Sequence, residues 1–325
     1  MVWLRHPVAW LASRRIAEES SATAEADDLR EWFTNALAEG RTGEAVTDAR
    51  TLMTSYAGAG PVGEPYLTAW RMLAAALAQG GRHGEAAEEL ARLTDALSSA
   101  PGFGAAVAAA ASRASRAGQL AYLGRFDEAE AECRAVADLC DELPPGRSAD
   151  HCRFAALGNL LVVLNGRGLY AEAESAARQA IAGYEPAPLC GHALPWLRRC
   201  LAASLSGQGQ YAEADVLLRG LRPAGGIDVV SVGIYLAAAQ LGLGELSAAE
   251  AGARKAAGTG MRLLSPVHNL TLTAGTLLGT VLARQGSLDE ARRQLQDNAA
   301  AWAEHFGDAH PKTIAARAEL ARLGD

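Results

Sequence analysis

The sequence is poor in aromatic residues, which make up 6% of its 325 positions although half of all residues are hydrophobic. Ala and Leu supply most of the apolar surface instead, a choice that suits closely packed helices and argues against a sheet, where β-branched and aromatic side chains dominate. No apolar run approaches the roughly 18 residues that a membrane-spanning helix needs. Cysteine is scarce: Cys133, Cys140, Cys152, Cys190 and Cys200 form no CxxC pair and are odd in number. That excludes a disulfide framework and fits reduced thiols packed inside a cytoplasmic protein. Positive charge is also in short supply, with 30 Lys and Arg against 37 Asp and Glu for a formal net charge of −7. Phosphate backbones require a concentrated basic surface, so nucleic acid is excluded as a partner.

Catalytic signatures are missing too. The chain has no GxSxG elbow, phosphate loop or HExxH helix. Acidic neighbours such as Asp27 and Asp28, or Glu88 and Glu89, lie one residue apart and so point to different sides of a helix, as solvated faces do. His151 beside Cys152, and His192 two residues after Cys190, raise the question of a zinc site. His151 and His192 precede a recurring Ala by 22 residues and His268 precedes its own by 23, so a repeat explains them without metal. No catalytic residue, metal ligand or cofactor is assigned.

What the chain does have is a period. Seven segments align: GRTGEAV at Gly40, GRHGEAA at Gly81, GRFDEAE at Gly124, GLYAEAE at Gly168, GQYAEAD at Gly209, GELSAAE at Gly244 and GSLDEAR at Gly286. Each places Gly five residues before an Ala, and these anchors (Ala45, Ala86, Ala129, Ala173, Ala214, Ala249, Ala291) are spaced by 41, 43, 44, 41, 35 and 42 residues. Six of the seven carry Glu immediately before the Ala. The Gly can end one helix in the left-handed conformation, and the small Ala lets the next helix approach its partner closely. Leu157, Leu160, Leu161 and Leu164 recur at helical spacing upstream of one such turn, and Phe126, Tyr170, Tyr211, Leu246 or Leu288 plugs the turn itself. The unit is helix, tight turn, helix.

The pattern resembles a tetratricopeptide-repeat protein, in the roughly 42-residue variety found in kinesin light chains and many bacterial signalling proteins. The stretch FGDAHPKTIAARAEL, with Gly307, His310 and Pro311, matches the G-x-x-H-P loop that often separates repeats in that variety. The resemblance implies an all-α right-handed solenoid of about seven helix pairs over residues 24–325, closed by a capping helix at about 310–323. Residues 1–23 form an N-terminal lead segment; a helix starting near Pro7 covers the edge of the first repeat, or Trp3, Trp10, Arg5, Arg14 and Arg15 serve a membrane interface, a partner or self-association. The 35-residue spacing before Ala249 implies a shortened loop, LRPAGGIDVV, and a change of curvature.

In such a solenoid the first helices line a concave groove. The family's spacing, counted back from the anchors, places Arg30, Arg71, Asn159, Asn165, Trp196, Arg199, Tyr235, Thr276 and Arg284 there, with Thr34, Val162, Ile234, Thr273 and Thr280 nearby. The arginines suit the carboxylates of an acidic peptide and the aromatics are candidate anchors. The expected function is a cytoplasmic, regulatory interaction scaffold that binds a protein or extended peptide in an open groove. The alternative is a receptor in which a small molecule or signalling peptide closes the superhelix, with its output delivered in trans; an enzyme with a pocket enclosed by the solenoid ranks below both.

Overall fold

The computed structural model describes residues 31–56, 64–100, 102–144, 146–184, 193–223 and 225–324. The N-terminal lead segment, Arg30, His192 and Cys190 fall outside these residues. Fifteen helices are described: α1 (residues 31–38), α2 (Thr42–Tyr56), α3 (Glu64–Gln79), α4 (His83–Ser98), α5 (Phe103–Tyr122), α6 (Phe126–Glu142), α7 (Arg147–Gly166) and α8 (Tyr170–Tyr184), then α9 (Ala193–Gly207), α10 (Tyr211–Arg219), α11 (Gly226–Gly242), α12 (Leu246–Leu263), α13 (Asn269–Arg284), α14 (Leu288–Phe306) and α15 (Pro311–Ala321). They pair in sequence into seven hairpins, and α15 packs on α14 as the cap.

All seven turn glycines have positive φ, between 73° and 85°. At the second turn, Arg82 N–H donates to Leu77 O at 2.9 Å and Gly81 N–H to Ala78 O at 3.1 Å, which satisfies carbonyls that the helix end would otherwise orphan. All seven anchor alanines are completely buried. The Glu that precedes most of them serves the outer surface: Arg178 bridges Glu174 and Glu213, and Arg254 bridges Glu250 and Glu290, so each arginine ties its own repeat to the next. These pairs are open to solvent, where screening leaves each worth little.

A second glycine precedes three of the turns. The ring of Phe126 lies over Gly166, Tyr170 over Gly207 and Tyr211 over Gly242; a Cβ at those glycines would meet ring carbons at 2.6, 2.4 and 2.4 Å. The turn plug of one repeat thus occupies space that the next repeat leaves empty. The pattern changes at the second repeat, where the plug is His83 and its neighbour in the following repeat is Tyr122, with ring centroids 5.1 Å apart.

The short fifth spacing arises in a helix as well as a loop. Helix α10 has nine residues, whereas the second helices of the other described repeats have 15 to 19. His268 and His310 sit at the N-caps of α13 and α15, each accepting a hydrogen bond from the backbone N–H two residues on at 3.1 Å. His151 is different: it lies inside α7 and is exposed, so the equivalence expected from its spacing is corrected. The 22-residue count misled because α7 begins earlier relative to its anchor, at Arg147, than α13 does.

The solenoid closes on itself. Gln79 Nε2 donates both to Leu37 O at 2.6 Å and to Leu263 O at 3.0 Å. His310 Nε2 lies 3.1 Å from Tyr122 O, and a Cβ on Gly40 would lie 2.2 Å from Arg262 O. The tight turns of the first three repeats therefore dock on the loops that precede α13 and α15. His83 lies in this seam with ring centroids 4.9 Å from His268 and 6.1 Å from Phe306.

Candidate functional site

Closure of the superhelix shapes a half-open chamber of about 570 Å³ on its concave side. Its wall draws on five successive repeats and the cap: Tyr122 and Phe126, Val162, Asn165 and Tyr170, Trp196, Arg199, Ser206 and Tyr211, Ser231, Ile234 and Tyr235, Asn269, Thr273 and Trp302, and finally His310, Pro311 and Lys312. Seven of the chain's 18 aromatic residues line it, a concentration that stands out in so aromatic-poor a sequence. A mostly apolar concavity of this size with a few convergent polar groups has the character of a small-ligand pocket.

The electrostatics are one-sided. Among the described residues no Asp or Glu lines the chamber, although the chain has 37 of them. Arg199 is nearly buried and makes an ion pair with Asp228 on α11. Lys312, in the first turn of α15, is accessible to water yet surrounded by protein, and burial lowers its pKa. Burial pushes the Tyr235 phenol up to about 12 and the Cys200 thiol up to about 11, so both keep their protons at neutral pH.

His310 also lines the chamber, but both of its ring nitrogens are engaged. Nδ1 accepts from Lys312 N–H, so Nε2 carries the proton and donates to Tyr122 O. Its ring stacks on Trp302 with centroids 5.2 Å apart. The lining therefore offers hydrogen bonds, a cation and aromatic faces, and presents no paired nucleophile and base among the described residues. It can hold a ligand. Among the described residues no group of His, Cys, Asp and Glu is arranged to hold a metal ion, and no helix is long and apolar enough to cross a membrane.

Of the residues the sequence placed in the groove, Asn165, Trp196, Arg199 and Tyr235 converge on the chamber, together with Val162, Ile234 and Thr273. Asn165 is partly committed, donating to Cys200 O at 3.1 Å and accepting from Ser204 Oγ at 2.9 Å. Asn159 lies elsewhere, buried with its amide on Ala114 O at 2.6 Å in space left by Gly118. Thr276 accepts from Asn298 Nδ2 at 2.8 Å and from Trp302 Nε1 at 3.3 Å, which joins α13 to α14. Arg71 lines a separate, shallower hollow of about 350 Å³ with Phe33, Thr34, Thr68 and Met72, and Arg284 is exposed at the end of α13. The concave face expected to run along the solenoid narrows here to a half-open chamber. The helix register holds there, but the superhelix is wound tightly enough for its ends to meet. Lys312, Asn269, Trp302 and Tyr122 joined the site only through that closure, with no local sequence signal to mark them, whereas His310 was legible as the loop histidine and not as part of the wall. Tyr170 and Tyr211 were legible as turn plugs, and their second role on the chamber wall was not.

Residues 271–312 match the model of the tetratricopeptide repeat family. None of the curated proteins matches the chain. Among solved structures, a Rap protein complexed with competence and sporulation factor matches with a TM-score of 0.57 at 13% identity, covering 90% of this chain and 80% of that one. NprR in complex with its cognate peptide NprX matches with a TM-score of 0.55 at 13% identity, covering 94% and 82%. The apo form of the quorum sensor NprR from B. thuringiensis matches with a TM-score of 0.50 at 13% identity, covering 94% and 80%. At such identities these likenesses establish a common fold.

Proposed function

The chain is a tetratricopeptide-repeat protein, and from that premise we propose that it is a ligand-responsive regulatory binding protein. A small molecule or short peptide enters the central chamber, and occupancy sets how firmly the superhelix closes. The observation that carries this reading is the chamber itself: a half-open concavity of about 570 Å³ with an aromatic wall suits a compact ligand or a short peptide. Two of the similar folds support it, because one was solved with competence and sporulation factor and the other with a cognate peptide. A partner protein reads the change from outside, on surfaces that the closing repeats bring together. The buried thiols of Cys133, Cys140, Cys152 and Cys200 suit a reducing, cytoplasmic setting for that work.

A thermal-shift screen of short peptides and aromatic metabolites tests the reading. A single-site ligand at a hundred times its Kd adds about 2.7 kcal/mol of stability, a shift of several degrees for a chain of this size. The variant Ala203→Phe, which fills the chamber from its wall, should lose the shift while keeping its helicity. A ligand that stabilises the filled variant as much as the wild type would place binding elsewhere.

A further inference from the structure

We propose that the chamber selects an organic anion, whose carboxylate pairs with the Lys312 ammonium while its apolar or aromatic body lies against Trp196, Tyr235 and Trp302. This deepens the reading that the chamber binds a ligand and rests on it.

The two cations at the chamber wall are not equivalent. Arg199 already has Asp228 as its counter-charge. The ammonium of Lys312 makes no hydrogen bond or ion pair with any described residue; only its backbone N–H is used, as the donor to His310 Nδ1. Lys312 is exposed to water, so its ammonium stays hydrated and available to a ligand's charge at the chamber wall.

Its position in the helix is unfavourable for a lysine. Lys312 occupies the first turn of α15, at the positive end of the helix dipole, where a carboxylate would stabilise the helix and a lysine does the opposite. Asn269 brings the first turn of α13 to the same chamber, so two helix N-termini border a space whose described wall has no carboxylate. Folding gains nothing from a lysine here, whereas an anion in the chamber gains from the ammonium and both dipoles at once.

One polar atom of the lining has no partner among the described residues, Ser206 Oγ, a hydroxyl that can donate to a ligand. The aromatic wall and the chamber volume show that the anion has an organic body, since an inorganic ion would leave most of that surface unused.

The test is a fluorescence titration of the full chain with phenylacetate, indole-3-acetate and N-acetyl-leucyl-leucyl-phenylalanine, each as the free acid and as the carboxamide, alongside inorganic phosphate. Free acids are expected to bind at least tenfold more tightly than amides. Lys312→Met should abolish that preference with no loss of thermal stability, and Lys312→Arg should keep it. Tighter binding of the aromatic acids or of the peptide acid identifies which body the wall prefers, and either supports the assignment. Equal binding of acid and amide by the wild type overturns the anion while leaving ligand binding in the chamber intact. Phosphate binding as tightly as the organic acids overturns the organic body. Iodide and acrylamide quenching of tryptophan emission reads the same charge without a bound ligand. Lys312→Met should reduce iodide quenching alone, and iodide quenching unchanged by the substitution overturns the role of Lys312 even if no probe binds.

Discussion

Acidification should open the seam between the ends of the solenoid. His83 is almost fully buried there, against Gln119, Tyr122, His268, Asn269, Phe306 and His310, and no carboxylate among the described residues faces it. Burial lowers its pKa to about 4 from an ordinary 6.5. Burial holds the His268 pKa well below 6.5 too. Both rings are neutral while the seam is closed and take up a proton once it opens. Stability from this source is therefore fully present above pH 6.5 and is lost as the pH falls toward 4. For His83 the difference is about 2.5 units, or about 3 kcal/mol at roughly 1.4 kcal/mol per unit. His268 acts in the same direction. Urea denaturation between pH 7.5 and 4 should show the loss, and small-angle scattering should show the particle expanding over the same window before helicity falls. His83→Gln should flatten the pH dependence by about 1.4 kcal/mol per pH unit. An unchanged slope in that variant, or expansion that begins only below pH 4, would refute the reasoning.

Other substitutions probe separate joints. Gly207→Ala drives a methyl into the Tyr170 ring and should cost about 1–3 kcal/mol in urea unfolding. Its effect should shrink when Tyr170 is replaced by Leu. Gln79→Ala removes a side chain that holds Leu37 and Leu263 together; it should cost about 1 kcal/mol and raise amide exchange on both sides of the seam. His310→Ala removes the α15 cap and the bond to Tyr122 O, so about 1–2 kcal/mol should be lost, with α15 exchanging first.

The architecture was legible because its determinants are local and repeated. Gly at a turn, Ala five residues later and a plug between them each act within one hairpin, so the sequence displays them at a fixed period. Trp196, Arg199 and Tyr235 were reachable by the same counting, since their helices keep register. The chamber was not, because it depends on accumulated curvature. A small rotation per repeat, altered by the nine residues of α10, decides whether Tyr122 meets His310, and no single residue records that sum. His151 shows the opposite failure: a count that was right in number pointed to a cap, and the helix had already begun four residues earlier.

Closure also fixes the number of repeats. The two hydrogen bonds that join early turns to late loops span 184 and 188 residues, nearly the same offset. An open solenoid can gain or lose a unit with little penalty, because each repeat touches only its neighbours. Here a unit inserted between Gln79 and Leu263 would carry every late loop one place past its early turn, and Gln79, His83 and Tyr122 would all face the wrong partners. The chain behaves as a counted object, and duplication of a single hairpin, harmless to an open array, would break the ring.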